Sequence, residues 1–92
     1  MFARVARFEG EPGEVETLIA RVRERVGGEL PPALRDAKLL LLVDPETGAS
    51  MNVTLYESAE ARRAGDEALG SFSRDGGART AVEFYEVPVS RL

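Results

Sequence analysis

The chain has no cysteine, no histidine and no tryptophan, and Lys38 is the single lysine among its 92 residues. Without cysteine there is no disulfide frame, no thiolate metal site and no thiol nucleophile. Without histidine the usual general base, the usual metal ligand and the proximal ligand of most haem proteins are missing. A metal would need oxygen ligands alone, and the 16 acidic residues follow no calcium-loop spacing, so neither a metal nor another cofactor is expected. Against those acids stand 12 basic residues, for a net charge of -4. Nucleic acid and anionic membrane surfaces both demand a cationic footprint, and neither is an expected partner. No apolar run approaches the roughly 20 residues that cross a bilayer, and no secretory leader pattern opens the sequence, which makes the cytoplasm the expected location.

What the sequence does have is a central hairpin. Leu39, Leu40, Leu41, Leu42 and Val43 form one strand, Asp44-Pro45-Glu46-Thr47-Gly48 a turn, and residues 51–56 the returning strand. Asp44 can accept from nearby backbone amides, Pro45 presets its own φ, and Gly48 supplies a left-handed position. The short loop makes the two strands antiparallel neighbours. The leucine run does not alternate, so both of its faces need covering, whereas Met51, Val53 and Leu55 alternate with Asn52, Thr54 and Tyr56.

The flanks carry two further strands and two helices. Residues 1–9 alternate loosely as a first strand, and Gly10-Glu11-Pro12-Gly13 breaks it. Val15, Leu18, Ile19, Val22 and Val26 then recur at helical spacing, with Glu16, Arg21, Arg23, Glu24 and Arg25 assigned to the other faces. Gly27-Gly28 and Pro31-Pro32 stop that helix, and residues 29–37 read as a loop with room for a short turn. Ser58 is an N-cap for a second helix reaching about Phe72, whose inward positions are Ala61, Ala64, Gly65, Ala68, Leu69 and Phe72. A helix that meets a sheet through alanine and glycine either lies close to it or leaves a ligand cleft, and vacant apolar volume is costly. A turn at Asp75-Gly76-Gly77 and a last strand over 79–87 follow, with Pro88 forcing the tail to an edge or off the sheet.

The order strand, helix, strand, strand, helix, strand is the split βαβ arrangement of the ferredoxin-like fold: one α+β domain over residues 1–92, βαββαβ. Right-handed crossovers put both helices on one face of a four-stranded antiparallel sheet. The other face is left with several hundred Å² of apolar surface, more than a monomer ordinarily exposes. Covering about 500 Å² on each of two partners at about 25 cal/mol per Å² favours association strongly even after its entropic cost. A homodimer packed sheet against sheet about a two-fold axis is therefore expected, with the tail 88–92 able to cross onto the partner.

The elements Leu39-Leu-Leu-Leu-Val43, Asp44-Pro-Glu-Thr-Gly48, a strand ending Val53-Thr-Leu-Tyr56 and Glu57-Ser58 opening an alanine-rich helix resemble the dimeric α+β barrel superfamily. Within it they are most similar to small bacterial proteins near the antibiotic-biosynthesis monooxygenase (ABM) domains. That resemblance covers nearly the whole chain and implies a barrel closed across the dimer, with a ligand cleft in each subunit between helices and sheet. Family members that oxidise polycyclic phenols without metal or flavin use an asparagine and, four residues on, a tryptophan on the third strand. Here Asn52 and Tyr56 have that spacing, with tyrosine in place of tryptophan. As implied catalytic residues, Asn52 would polarise a developing oxyanion and Tyr56 would stack on the ring. Thr54, Ala64, Gly65 and Ala68 would line the substrate cleft, with Arg4, Arg7 or Arg79 offsetting charge. The haem-degrading branch needs a histidine, and an RNA-binding module of the same layout needs exposed aromatics and a basic surface; neither is present. Two readings result: a non-catalytic dimeric module binding a small apolar or aromatic ligand, and alternatively a cofactor-independent monooxygenase-like enzyme.

Overall fold

The computed structural model describes residues 1–70 and 78–91. Its elements are β1 (Phe2–Glu9), a 3-10 turn (Pro12–Glu14), α1 (Val15–Gly27), α2 (Pro32–Arg35), β2 (Lys38–Val43), β3 (Ser50–Tyr56), α3 (Ala59–Gly70) and β4 (Ala78–Glu86). The strands form one four-stranded antiparallel sheet in the order β2-β3-β1-β4, compatible with a ferredoxin-like arrangement. The expected turn at 73–77, and Phe72, lie outside the described residues.

Local chemistry explains why the elements begin and end where they do. In the β2–β3 turn the Glu46 amide donates to Asp44 Oδ1 at 3.0 Å and the Gly48 amide to the Asp44 carbonyl at 2.8 Å. Gly48 has φ +82, and a Cβ there would strike the backbone of Gly10, Glu11 and Pro12, so glycine is required twice over. Ser58 Oγ accepts from the Ala61 amide at 3.0 Å and caps α3. α2 falls where only a short turn was expected. Pro32 at its start has no N–H to leave unpaired and a φ already suited to a helix, so the proline that ends one segment starts the next.

Register sorts every strand residue onto one of two faces. Arg4 pairs opposite Thr54, Ala6 opposite Asn52 and Phe8 opposite Ser50, and Leu39 and Leu41 stand opposite Thr54 and Asn52 on the other side. These side chains share the helix-bearing face, to which Asp66 of α3 is fixed by Arg4, Nε to Oδ1 at 2.7 Å. Arg62 of α3 adds a second tie, its guanidinium 5.3 Å from the Phe2 ring centroid and 5.2 Å from that of Phe84, with Nη1 donating to the Tyr85 carbonyl.

The opposite face carries Ala3, Val5 and Arg7 of β1, Leu40 and Leu42 of β2, Met51, Val53 and Leu55 of β3, and Ala81, Glu83 and Tyr85 of β4. No described helix covers it. Ala3, Val5 and Leu55 of the two central strands are nonetheless buried, at 5%, 8% and 8%, and it is Leu40, Leu42 and Tyr85 on the edge strands that remain 46%, 49% and 48% exposed. The leucine run therefore does split by parity, Leu39 and Leu41 under the helices and Leu40 and Leu42 outside, as a strand with two apolar faces must.

Among the described residues no helix is long and apolar enough to cross a membrane.

Candidate functional site

A cavity of about 210 Å³ lies between α1 and the helix-bearing face of the sheet. Its floor is Leu39 and Leu41 of β2 with Asn52 and Thr54 of β3, and β1 contributes Arg4 and Phe8. Its roof is α1, through Leu18, Arg21, Val22, Arg25 and Val26. Leu30, Leu34, Leu69 of α3 and Arg79 of β4 also line it. The roof positions are spaced three and four apart, one continuous helix stripe.

Apolar side chains dominate the interior, and the polar groups are few and placed. Thr54 is buried and its Oγ1 donates to the Arg4 carbonyl at 3.5 Å. Asn52 is half-buried, and its side-chain amide has no hydrogen-bond partner among the described residues. Arg4, only 3% exposed, is held by Asp66 and not left as a bare buried cation.

The arginines sort cleanly. Arg4 and Arg79 face the cavity, and Arg7 lies on the other side of the sheet, where its Nε donates to Glu83 Oε1 at 2.6 Å. Tyr85 Oη donates to Glu83 Oε2 at 3.0 Å. Donation from Arg7 first and Tyr85 second holds the Glu83 carboxyl below the usual glutamate range, and the same carboxylate pushes the Tyr85 phenol up. Arg21 and Arg25, assigned to the outer faces of α1 by their charge, both line the cavity, Arg21 from an exposed position and Arg25 half-buried.

The expected site residues divide in two. Asn52 and Thr54 line the cavity. Tyr56 shares their face, and its ring passes beneath α3 into the space at Gly65, where a Cβ would overlap the ring and hydroxyl. Tyr56 is 4% exposed, and its hydroxyl is buried with no hydrogen-bond partner among the described residues. Gly65 is buried in that contact, Ala64 is exposed, Ala68 is half-buried, and none of the three is among the cavity-lining residues. The small-residue stripe of α3 thus serves close approach at Gly65, and the open volume lies under the bulkier α1.

Among the described residues no group of three or more carboxylates converges in a way that would hold a metal ion. No protein-family model matches the chain, and no curated protein matches it.

Proposed function

We propose that the protein is a dimeric α+β barrel similar to the ABM domains, and that each subunit binds a small apolar or aromatic ligand between α1 and the sheet without catalysing its oxidation. The observation that carries this reading is the cavity itself. At about 210 Å³ it exceeds the roughly 150 Å³ that accommodates benzene in an engineered protein core. Its walls combine leucine and valine side chains with the free amide of Asn52, the mix of apolar enclosure and few polar anchors that small-molecule sites share.

The dimer draws support from surface area. A folded monomer of 10.0 kDa exposes about 5,200 Å² by the usual mass scaling. This chain exposes 6257 Å². The excess, about 1,000 Å², is close to the ~800 Å² that each partner contributes to a standard interface. Val89 of the tail at 85% and Leu40 and Leu42 of the sheet face at 46% and 49% are among the exposed large apolar side chains.

Oxidation of an electron-rich aromatic is the weaker reading, because the ring partner it needs, Tyr56, is engaged under Gly65 and not at the cavity wall. Thermal-shift and calorimetric titrations with one-ring and two-ring aromatic compounds test binding. Saturable stabilisation that is lost in Val22→Phe, which fills the roof of the cavity, is the expected result. Absence of any shift across the series overturns the binding reading. Oxygen uptake with an anthrone or quinol substrate, abolished in Asn52→Ala, would restore the enzyme.

A further inference from the structure

We infer that the ligand of this cavity carries an acidic group, a carboxylate or phenolate, at one end of an apolar body, and that Arg21 and Arg79 recognise it; this rests on the binding function proposed above. The chain as a whole has more acids than bases, 16 against 12. Among the described residues the cavity wall inverts that balance, with Arg4, Arg21, Arg25 and Arg79 lining it and no described aspartate or glutamate. A solvated helix face has no reason to select one sign so completely, whereas a binding site for an anion does.

Exposure separates the head from the body. Leu18 and Leu34 are buried at 8% and 1%, while Arg79 is half-exposed and Arg21 exposed, so the guanidinium groups rim an apolar interior. Arg4 is neutralised by Asp66, but among the described residues neither Arg21 nor Arg79 has an ionic partner. They come from different elements, α1 and β4, with Arg79 opposite Phe8 at the end of β1. A planar guanidinium with a fixed fork of donors suits a carboxylate at such a rim, and the adjoining apolar wall lowers the local dielectric that the pairing experiences.

The test is calorimetric titration of the intact protein with three compounds sharing one ring system: 2-naphthoate, the neutral 2-naphthylmethanol and the cationic 2-naphthylmethylammonium. The expected order is acid, alcohol, ammonium, with the acid about tenfold to a hundredfold tighter than the alcohol, the span of a charge-assisted hydrogen bond. That ratio should shrink towards one in Arg21→Gln and Arg79→Gln and fall with added salt. Arg23→Gln removes the same charge from an exposed position of α1 outside the cavity wall and should leave the ratio intact. If acid and alcohol bind the wild type equally well, or if Arg23→Gln lowers the ratio as much as the rim variants, the acidic head is refuted while the cavity stands as a binding site. If none of the three compounds binds, the cavity reading fails and this inference fails with it.

Discussion

At the scale of single residues, the contact between Gly65 and Tyr56 decides how α3 meets the sheet. Alanine is ordinarily the better helix former by about 1 kcal/mol. At this position its methyl would overlap the Tyr56 ring, and overpacking of a filled site costs ~1 to 3 kcal/mol. Gly65→Ala should therefore destabilise the protein in urea denaturation, against its propensity. Tyr56→Phe should do the reverse: a buried hydroxyl without a partner costs about 1 to 3 kcal/mol, and removing it should raise the melting temperature. A loss of stability on Tyr56→Phe would show that the hydroxyl has a partner after all. The sequence made Gly65 conspicuous and left two explanations standing, close approach or ligand contact. What it lacked was the identity of the opposing group, because Tyr56 is nine residues away and reaches Gly65 only through the strand-to-helix packing. Turn chemistry was far more legible, since Asp44, Gly48 and Ser58 act on backbone groups within a few residues of themselves.

At the scale of elements, apolar periodicity placed all four strands, α1 and the start of α3 to within about two residues, the usual uncertainty of element ends, while the expected end of α3 at about Phe72 lies outside the described residues. It misjudged α1 in one respect. Leu18, Val22 and Val26 mark a stripe on which positions 21 and 25 also lie; Arg21 is exposed, as its charge suggested, but Arg25, also assigned to an outer face, is half-buried at the cavity wall. The geometry was available in the spacing and the composition bias prevailed over it, which is the error that hides a charged rim on an otherwise apolar wall. The short α2 was foreseen only as a turn because Pro31-Pro32 reads as a stop. Its value lies in Leu34, 1% exposed and lining the cavity. Leu34→Ala should cost ~2 to 5 kcal/mol in urea denaturation and weaken aromatic binding together with it. On the other side of the sheet, β1 and β4 are joined by the Arg7, Glu83 and Tyr85 cluster. Because the folded protein holds the Glu83 carboxyl below its unfolded range, the cluster's contribution is present above the ordinary glutamate pKa and is lost as pH falls through the depressed value. Thermal melts of wild type and Glu83→Gln should differ at neutral pH and converge in acid; a constant difference across that window would rule the linkage out.

At the scale of the whole molecule, the proposed dimer turns on the face holding Leu40, Leu42, Met51 and Val53, on which no described helix packs and where Leu40 and Leu42 are exposed. A second copy is the economical solution, since the same face then covers itself about a two-fold axis. The strand edges set a constraint on how this happens. β2 and β4 are the edge strands, and the Val87 amide donates to the Met1 carbonyl at 2.9 Å, which carries the β1–β4 pairing one residue past β4. If the tail from Pro88 onward crosses onto a second copy, truncating it should weaken association without unfolding the subunit. The more decisive variant is Leu42→Glu. As a monomer the protein should tolerate it, because the side chain is 49% exposed and the substitution falls within the small range of surface changes. In a sheet-on-sheet dimer it buries an unpaired carboxylate on each side of the axis, a cost of several kcal/mol per ion. Sedimentation velocity should accordingly find dimers for the wild type and monomers for Leu42→Glu at the same micromolar concentration, with the far-ultraviolet circular dichroism unchanged. A wild type that sediments as a single subunit would remove the barrel, while the cavity under α1, which is built from one chain, would remain to be tested by its ligands alone.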